Sequence, residues 1–101
     1  MDIQNLAREV EKVSNKYSSK FNIKRNGDYY VLKVQEELGE LIQSYLMMIG
    51  KARTKGKSKK QITDNFEREV ADVLCQILLL SRFYKIDLEK VVEKKWLKWT
   101  K

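Results

Sequence analysis

The sequence predicts an all-α protein, a small bundle of about four helices completed by oligomerisation. Three observations lead there. The chain has no proline and only four glycines, so little in it breaks a helix. Glu, Lys, Leu and Val are plentiful, a composition that suits helices. Apolar residues return every three or four positions along most of the length. With 101 residues the chain makes one domain, residues 1–101, with a modest core that association of subunits commonly supplements.

In chain order, Ile3, Leu6, Ala7, Val10, Val13 and Tyr17 mark a first amphipathic helix over residues 3–18. Its polar face carries Arg8, Glu9, Glu11 and Lys12 with no convergent group, and it reads as scaffold. Residues 18–28 connect, with Asn26-Gly27-Asp28 as the turn. A second helix starts at Tyr29 or Tyr30 and runs to Ile49, where Gly50 stops it. Residues 51–60 hold six basic residues, Arg53 among them, and no acidic one. That run reads either as a solvated loop or as a flap that attracts phosphate. A third helix covers residues 65–84, with Asp64 and Glu67 as its capping box. Asp87 caps a fourth over residues 88–99, with Leu88, Val91, Val92 and Trp96 inward. Lys94, Lys95 and Lys98 cluster near its end, where cations suit the helix dipole.

Composition removes several chemistries. Without histidine there is no imidazole zinc site and no Ser-His or Cys-His nucleophile pair. The lone Cys75 forms no disulfide framework and reads as core filling. No glycine-rich phosphate loop occurs, which excludes a P-loop NTPase. The opening Met1-Asp2-Ile3-Gln4-Asn5 is not a secretion signal. The apolar stretch from Val70 to Leu80 is interrupted by Asp72 and Gln76 and is too short to span a bilayer. A cytoplasmic protein with no membrane partner is the expectation. The net charge of +7 fits nucleic acid, an anionic surface or a phosphorylated small molecule.

The chemistry concentrates in two acidic phrases, Glu36-Glu37-Leu38-Gly39-Glu40 and Glu69-Val70-Ala71-Asp72. Residues three apart on a helix share a face, so Glu37 and Glu40 converge, and so do Glu69 and Asp72. Lys33, Glu37, Glu40 and Ser44 fall within about 60° of one another and border the apolar stripe, while Glu36 points further toward solvent. The second phrase sits among Val70, Val73, Leu74, Ile77, Leu78, Leu79 and Leu80, a helix apolar nearly all round. Carboxylates there need a cation; salt bridges to Lys33 or Arg68 are one answer and a metal is the other. Four hard oxygen ligands without histidine favour Mg²⁺, with Mn²⁺ acceptable, over redox iron. Such a site suits hydrolysis at the phosphorus of a polyphosphate, a spare carboxylate orienting or deprotonating water. Lys33 reads as a phosphate contact or as a neutraliser of Glu37. Tyr29, Tyr30, Trp96 and Trp99 read as base-stacking groups or as packing residues, packing being the commoner use.

The phrases Glu36-Glu37-Leu38-Gly39-Glu40-Leu41 and Glu69-Val70-Ala71-Asp72-Val73-Leu74 together resemble the E-E-x-x-E … E-x-x-D signature of the MazG-like nucleoside triphosphate pyrophosphohydrolases. The resemblance covers about residues 30–95 and includes Lys33 and the Ile86-Asp87-Leu88-Glu89 opening of the last helix. It implies that Glu37, Glu40, Glu69 and Asp72 bind Mg²⁺ and that a dNTP or altered NTP is cleaved to monophosphate and pyrophosphate. It also implies that Glu36 supports or activates the water, that Lys94 contacts nucleotide, and that helices of two subunits build one bundle in a homodimer or homotetramer. The chain departs from many relatives in lacking an Asn near Lys94 and in its longer basic loop. It has Leu74-Cys75-Gln76 where the phosphoribosyl-ATP branch carries Tyr-His. The competing reading is a basic helical module for nucleic acid or a protein partner. No helix shows a clean basic face, and such a module gives no reason for Glu69 and Asp72 on the most apolar helix.

Overall fold

Each helix begins at a polar side chain that accepts one of its free N–H groups. The structure, a computed structural model, describes residues 1–100. Asp2 opens α1 (Ile3–Lys20) by accepting from the Asn5 N–H at 2.8 Å. Asn26 opens α2 (Gly27–Met48) the same way, from Tyr29 N–H at 2.9 Å. Ser58 opens α3 (Lys59–Phe83), and Asp87 opens α4 (Leu88–Lys95). A single 3₁₀ turn, Leu97–Thr100, follows. The protein is all-α, with four helices and no strand among the described residues.

The boundaries differ from expectation where capping chemistry decides them. The Asn26-Gly27-Asp28 turn is the cap and first turn of α2, which therefore starts before Tyr29. Gly27 lets the Tyr84 hydroxyl at the end of α3 come close, and a Cβ there would make that side chain shift. The α3 helix starts at Lys59, not near residue 65. Ser58 and Gln61 form the box, Ser58 Oγ accepting from Gln61 N–H at 3.2 Å and Gln61 Oε1 from Ser58 N–H at 2.8 Å. Asp64 instead pairs with Lys60 at 2.8 Å inside the helix. Lys59 and Lys60 thus leave the basic linker. Gly50, at φ +81°, takes the left-handed conformation after α2 that glycine adopts readily. The last helix stops at Lys95 instead of reaching Trp99.

The α2 and α3 helices form an antiparallel hairpin. Tyr30 meets Phe83 at 4.8 Å between ring centroids near one end, and Tyr45 meets Phe66 at 6.3 Å near the other. The core is thin, consisting of Tyr30, Ile62, Leu78 (1% exposed) and Leu79. The α1 helix packs on α3 and is clamped to the start of α2 by Arg25. That guanidinium pairs with Glu11 at 2.7 Å, donates to Ser14 Oγ and Asn15 Oδ1, and lies 5.8 Å from the Tyr30 ring centre.

The α4 helix corrects its sequence reading: Val91, Val92 and Trp96 are exposed, because one chain supplies no helix against which eight residues can pack. The whole molecule is correspondingly open. Its radius of gyration is 16.1 Å, against about 13 Å for a compact domain of this length. Its accessible surface is 8142 Å², against about 6,000 Å² for a compact monomer of 12.0 kDa.

Candidate metal centre

Two helices deliver the acidic residues to one place. Glu37 and Glu40 stand one turn apart on α2, and Glu69 faces them from α3. One carboxylate oxygen from each lies within 4.8 Å of the other two. Oxygens bound to one Mg²⁺ at about 2.1 Å stand about 3 to 4.2 Å apart, so small side-chain adjustments would bring all three onto an ion. Asp72 is exposed and stands outside this trio, but its charge is felt by both Glu37 and Glu69.

The electrostatics match a site built for a cation. Burial first, then the charges of Glu40 and Asp72, push the Glu37 carboxyl up to about 7, with Lys33 pulling the other way. Burial, Glu40 and Asp72 likewise raise Glu69, opposed by Arg68. Glu37 Oε2 and Glu69 Oε2 are buried without any hydrogen-bond partner. An orphaned buried oxygen costs about 1–3 kcal/mol, more when charged, and a hard divalent ion removes that cost. The donor set fits Mg²⁺ or Mn²⁺, since all three ligands are carboxylates.

The remaining candidates are not gathered into the trio. Glu36 is 54% exposed and pairs with Lys33 Nζ at 3.2 Å, so Lys33 neutralises Glu36 instead of bonding Glu37. Tyr30, a candidate for base stacking, is 3% exposed and covered by Phe83 and Arg25, which leaves no free ring face in a single chain. Arg53 lies exposed between α2 and α3, and Lys94 lies exposed on the unpacked α4. Neither makes an ion pair among the described residues. Cys75 is half-buried, and burial, then Asp72, raises its thiol above the ordinary value, which suits a packing role over a nucleophilic one.

One polar group escaped the sequence reading. Gln76 has a buried Oε1 with no partner. The signal was present: Gln76 is the one amide between Asp72 and Ser81, four residues beyond Asp72 and seven beyond Glu69 on the same face. A separate cleft of about 460 Å³ lies between α1 and the end of α3, lined in part by Arg8, Leu78, Arg82 and Ile86. None of the motif carboxylates lines it.

Comparison with known proteins shows the family. The family model described as MazG nucleotide pyrophosphohydrolase domain matches residues 25–101, which leaves only α1 and the start of the following turn outside. No curated protein and no solved structure matches.

Proposed function

The chain belongs to the MazG nucleotide pyrophosphohydrolase family, and from that premise we propose that it hydrolyses a nucleoside triphosphate, a dNTP or altered NTP, to the monophosphate and pyrophosphate. Glu37, Glu40, Glu69 and Asp72 would hold Mg²⁺ or Mn²⁺. The observation that carries this reading is the pair of buried, unpartnered oxygens, Glu37 Oε2 and Glu69 Oε2, brought together with Glu40 from two helices. When bound, the ion supplies charge neutralisation at the phosphate oxygens and acidifies a water.

The chain's own residues supply the rest. Glu36 orients or deprotonates the attacking water from the solvent side of α2. Its exposed pair with Lys33 is worth only about 0.5 kcal/mol, so an arriving phosphate can draw Lys33 away and release Glu36 for that task. Arg53 and Lys94 add positive charge for the phosphates once the linker and α4 are brought in. The water oxygen bonds to phosphorus, and the bond to the oxygen bridging the α- and β-phosphates breaks. The proton passes to a carboxylate.

Association completes the bundle in this reading, as a homodimer or homotetramer of single-domain chains. Val31, Leu38, Ile42, Tyr45 and Ile49 form an exposed stripe along α2. Val70, Leu74 and Ile77 form another on α3, and in an antiparallel hairpin both stripes face the same side. A contiguous apolar face of this kind marks a protein interface. No helix of the described residues is long and apolar enough to cross a membrane. A nucleic-acid module would leave the orphaned carboxylates unexplained.

The test is incubation of the purified protein with Mg²⁺ and a panel of canonical and modified nucleoside triphosphates, with products separated by anion exchange. Monophosphate and pyrophosphate should appear with native protein and disappear with the Glu69→Gln, Asp72→Asn double variant. Free orthophosphate as the product, or equal turnover by the variant, would refute the assignment.

A further inference from the structure

Gln76 lies on α3 one helical turn beyond Asp72 and two beyond Glu69, and the proposed reaction makes no use of its side chain. Its Oε1 is buried and makes no hydrogen bond, although the residue belongs to a helix otherwise apolar from Val73 to Leu80. A buried acceptor left empty costs about 1–3 kcal/mol, while an apolar residue of similar size at this place would cost nothing of the kind. The ring pairs Tyr30–Phe83 and Tyr45–Phe66 set the register of the hairpin, and that register puts Gln76 level with Glu36 and Glu37. Gln76 therefore stands one turn from Asp72, toward the closed Tyr30–Phe83 end and away from the basic linker.

We propose that Gln76 reads the nucleoside: its amide hydrogen-bonds an N–H or O–H group of the base or sugar while the carboxylates and basic residues handle the triphosphate. The inference rests on the function proposed above. Chemistry selects the nucleoside over the phosphates, because an uncharged carbonyl oxygen repels phosphate oxygens but accepts from a base amine, a ring N–H or a sugar hydroxyl. Such a group also gives discrimination beyond what packing provides. A nucleotide lacking the matching donor leaves Oε1 as empty as it is without ligand, and a site built around one hydrogen bond rejects that analogue strongly.

The test uses the full chain with Mg²⁺ and compares native protein, Gln76→Leu and Gln76→Asn. kcat and KM are measured for ribo- and deoxyribonucleoside triphosphates of each base, and the Mg²⁺-induced rise in Tm is measured without nucleotide. Gln76→Leu should lower kcat/KM for the preferred nucleotide by about tenfold or more, chiefly through KM, and flatten the ranking of substrates. Gln76→Asn, whose carbonyl is one methylene short, should fall between, and the Mg²⁺-induced rise should be unchanged in both. Collapse of the ranking among bases identifies a base donor; collapse of the ribose–deoxyribose difference identifies a sugar hydroxyl. Active variants that rank the panel as native protein does overturn the proposal alone. So does a uniform loss in kcat, which would place Gln76 on the attacking water, or loss of the Mg²⁺ effect, which would place it in the metal centre. Should Gln76→Leu not fold, the ranking by Gln76→Asn decides. Native protein that cleaves no nucleotide removes the functional reading itself.

Discussion

Glu37 carries the sharpest residue-level consequences. Its carboxyl ordinarily ionises near 4.5 and is held protonated up to about 7 in the folded, metal-free chain. Between those values the folded state binds the extra proton, so metal-free stability falls as pH rises across that window. A divalent ion binds the ionised form and opposes the loss. The Mg²⁺-induced rise in Tm should therefore be small near pH 5 and grow toward pH 7.5, as thermal melts with and without chelator would show; a rise independent of pH would contradict this. Glu37→Gln should stabilise the metal-free protein near pH 7.5 by about 1 kcal/mol, with solvent screening keeping the gain small, yet cut activity about 10²-fold or more. Denaturant titration and turnover measurement check the two halves separately. That Glu37 and Glu40 share a face was legible in the sequence because three-residue spacing on a helix is enough to aim a pair, but the same spacing did not bring Asp72 into the trio with Glu69. Gln76 was not singled out, since a lone amide in an apolar helix announces itself only when its oxygen is found without a partner. For Tyr30 the sequence left base stacking and packing both open, because a helix-end aromatic looks the same whether Phe83 covers it or not.

Among the elements, the α2–α3 hairpin positions the site, and its helices were legible from their periodicity. The start of α3 was not. Asp64 and Glu67 have capping-box spacing, but Ser58 with Gln61 has it too and lies earlier, so the helix nucleates there and absorbs Lys59 and Lys60. Ser58→Ala should destabilise the protein by about 1 kcal/mol at fixed protein concentration, measured by urea unfolding, whereas Asp64→Ala should stay within about 0.5 kcal/mol, as expected for an exposed pair with Lys60. Equal effects would mean that the cap lies at Asp64 after all. The α4 helix shows a different limit: its apolar residues are plain in the sequence, but periodicity alone does not say what they pack against, and Val91 and Val92 are exposed.

At the scale of the whole molecule, the thin core and the 16.1 Å radius of gyration describe an open chain, and these are the features on which the proposed association rests. Leu74, 45% exposed in the centre of α3, belongs to the apolar face assigned to association. Leu74→Glu should shift the protein from dimer or tetramer to monomer in light scattering, and a native monomer would refute that assignment. The proposed hydrolysis requires the carboxylates to be a metal site. Calorimetric titration of Mg²⁺ into native protein and into the Glu69→Gln, Asp72→Asn variant tests that most directly. Saturable binding by native protein, lost in a variant whose circular dichroism remains fully helical, is the predicted result. Binding of equal strength by both, or by neither, would contradict it.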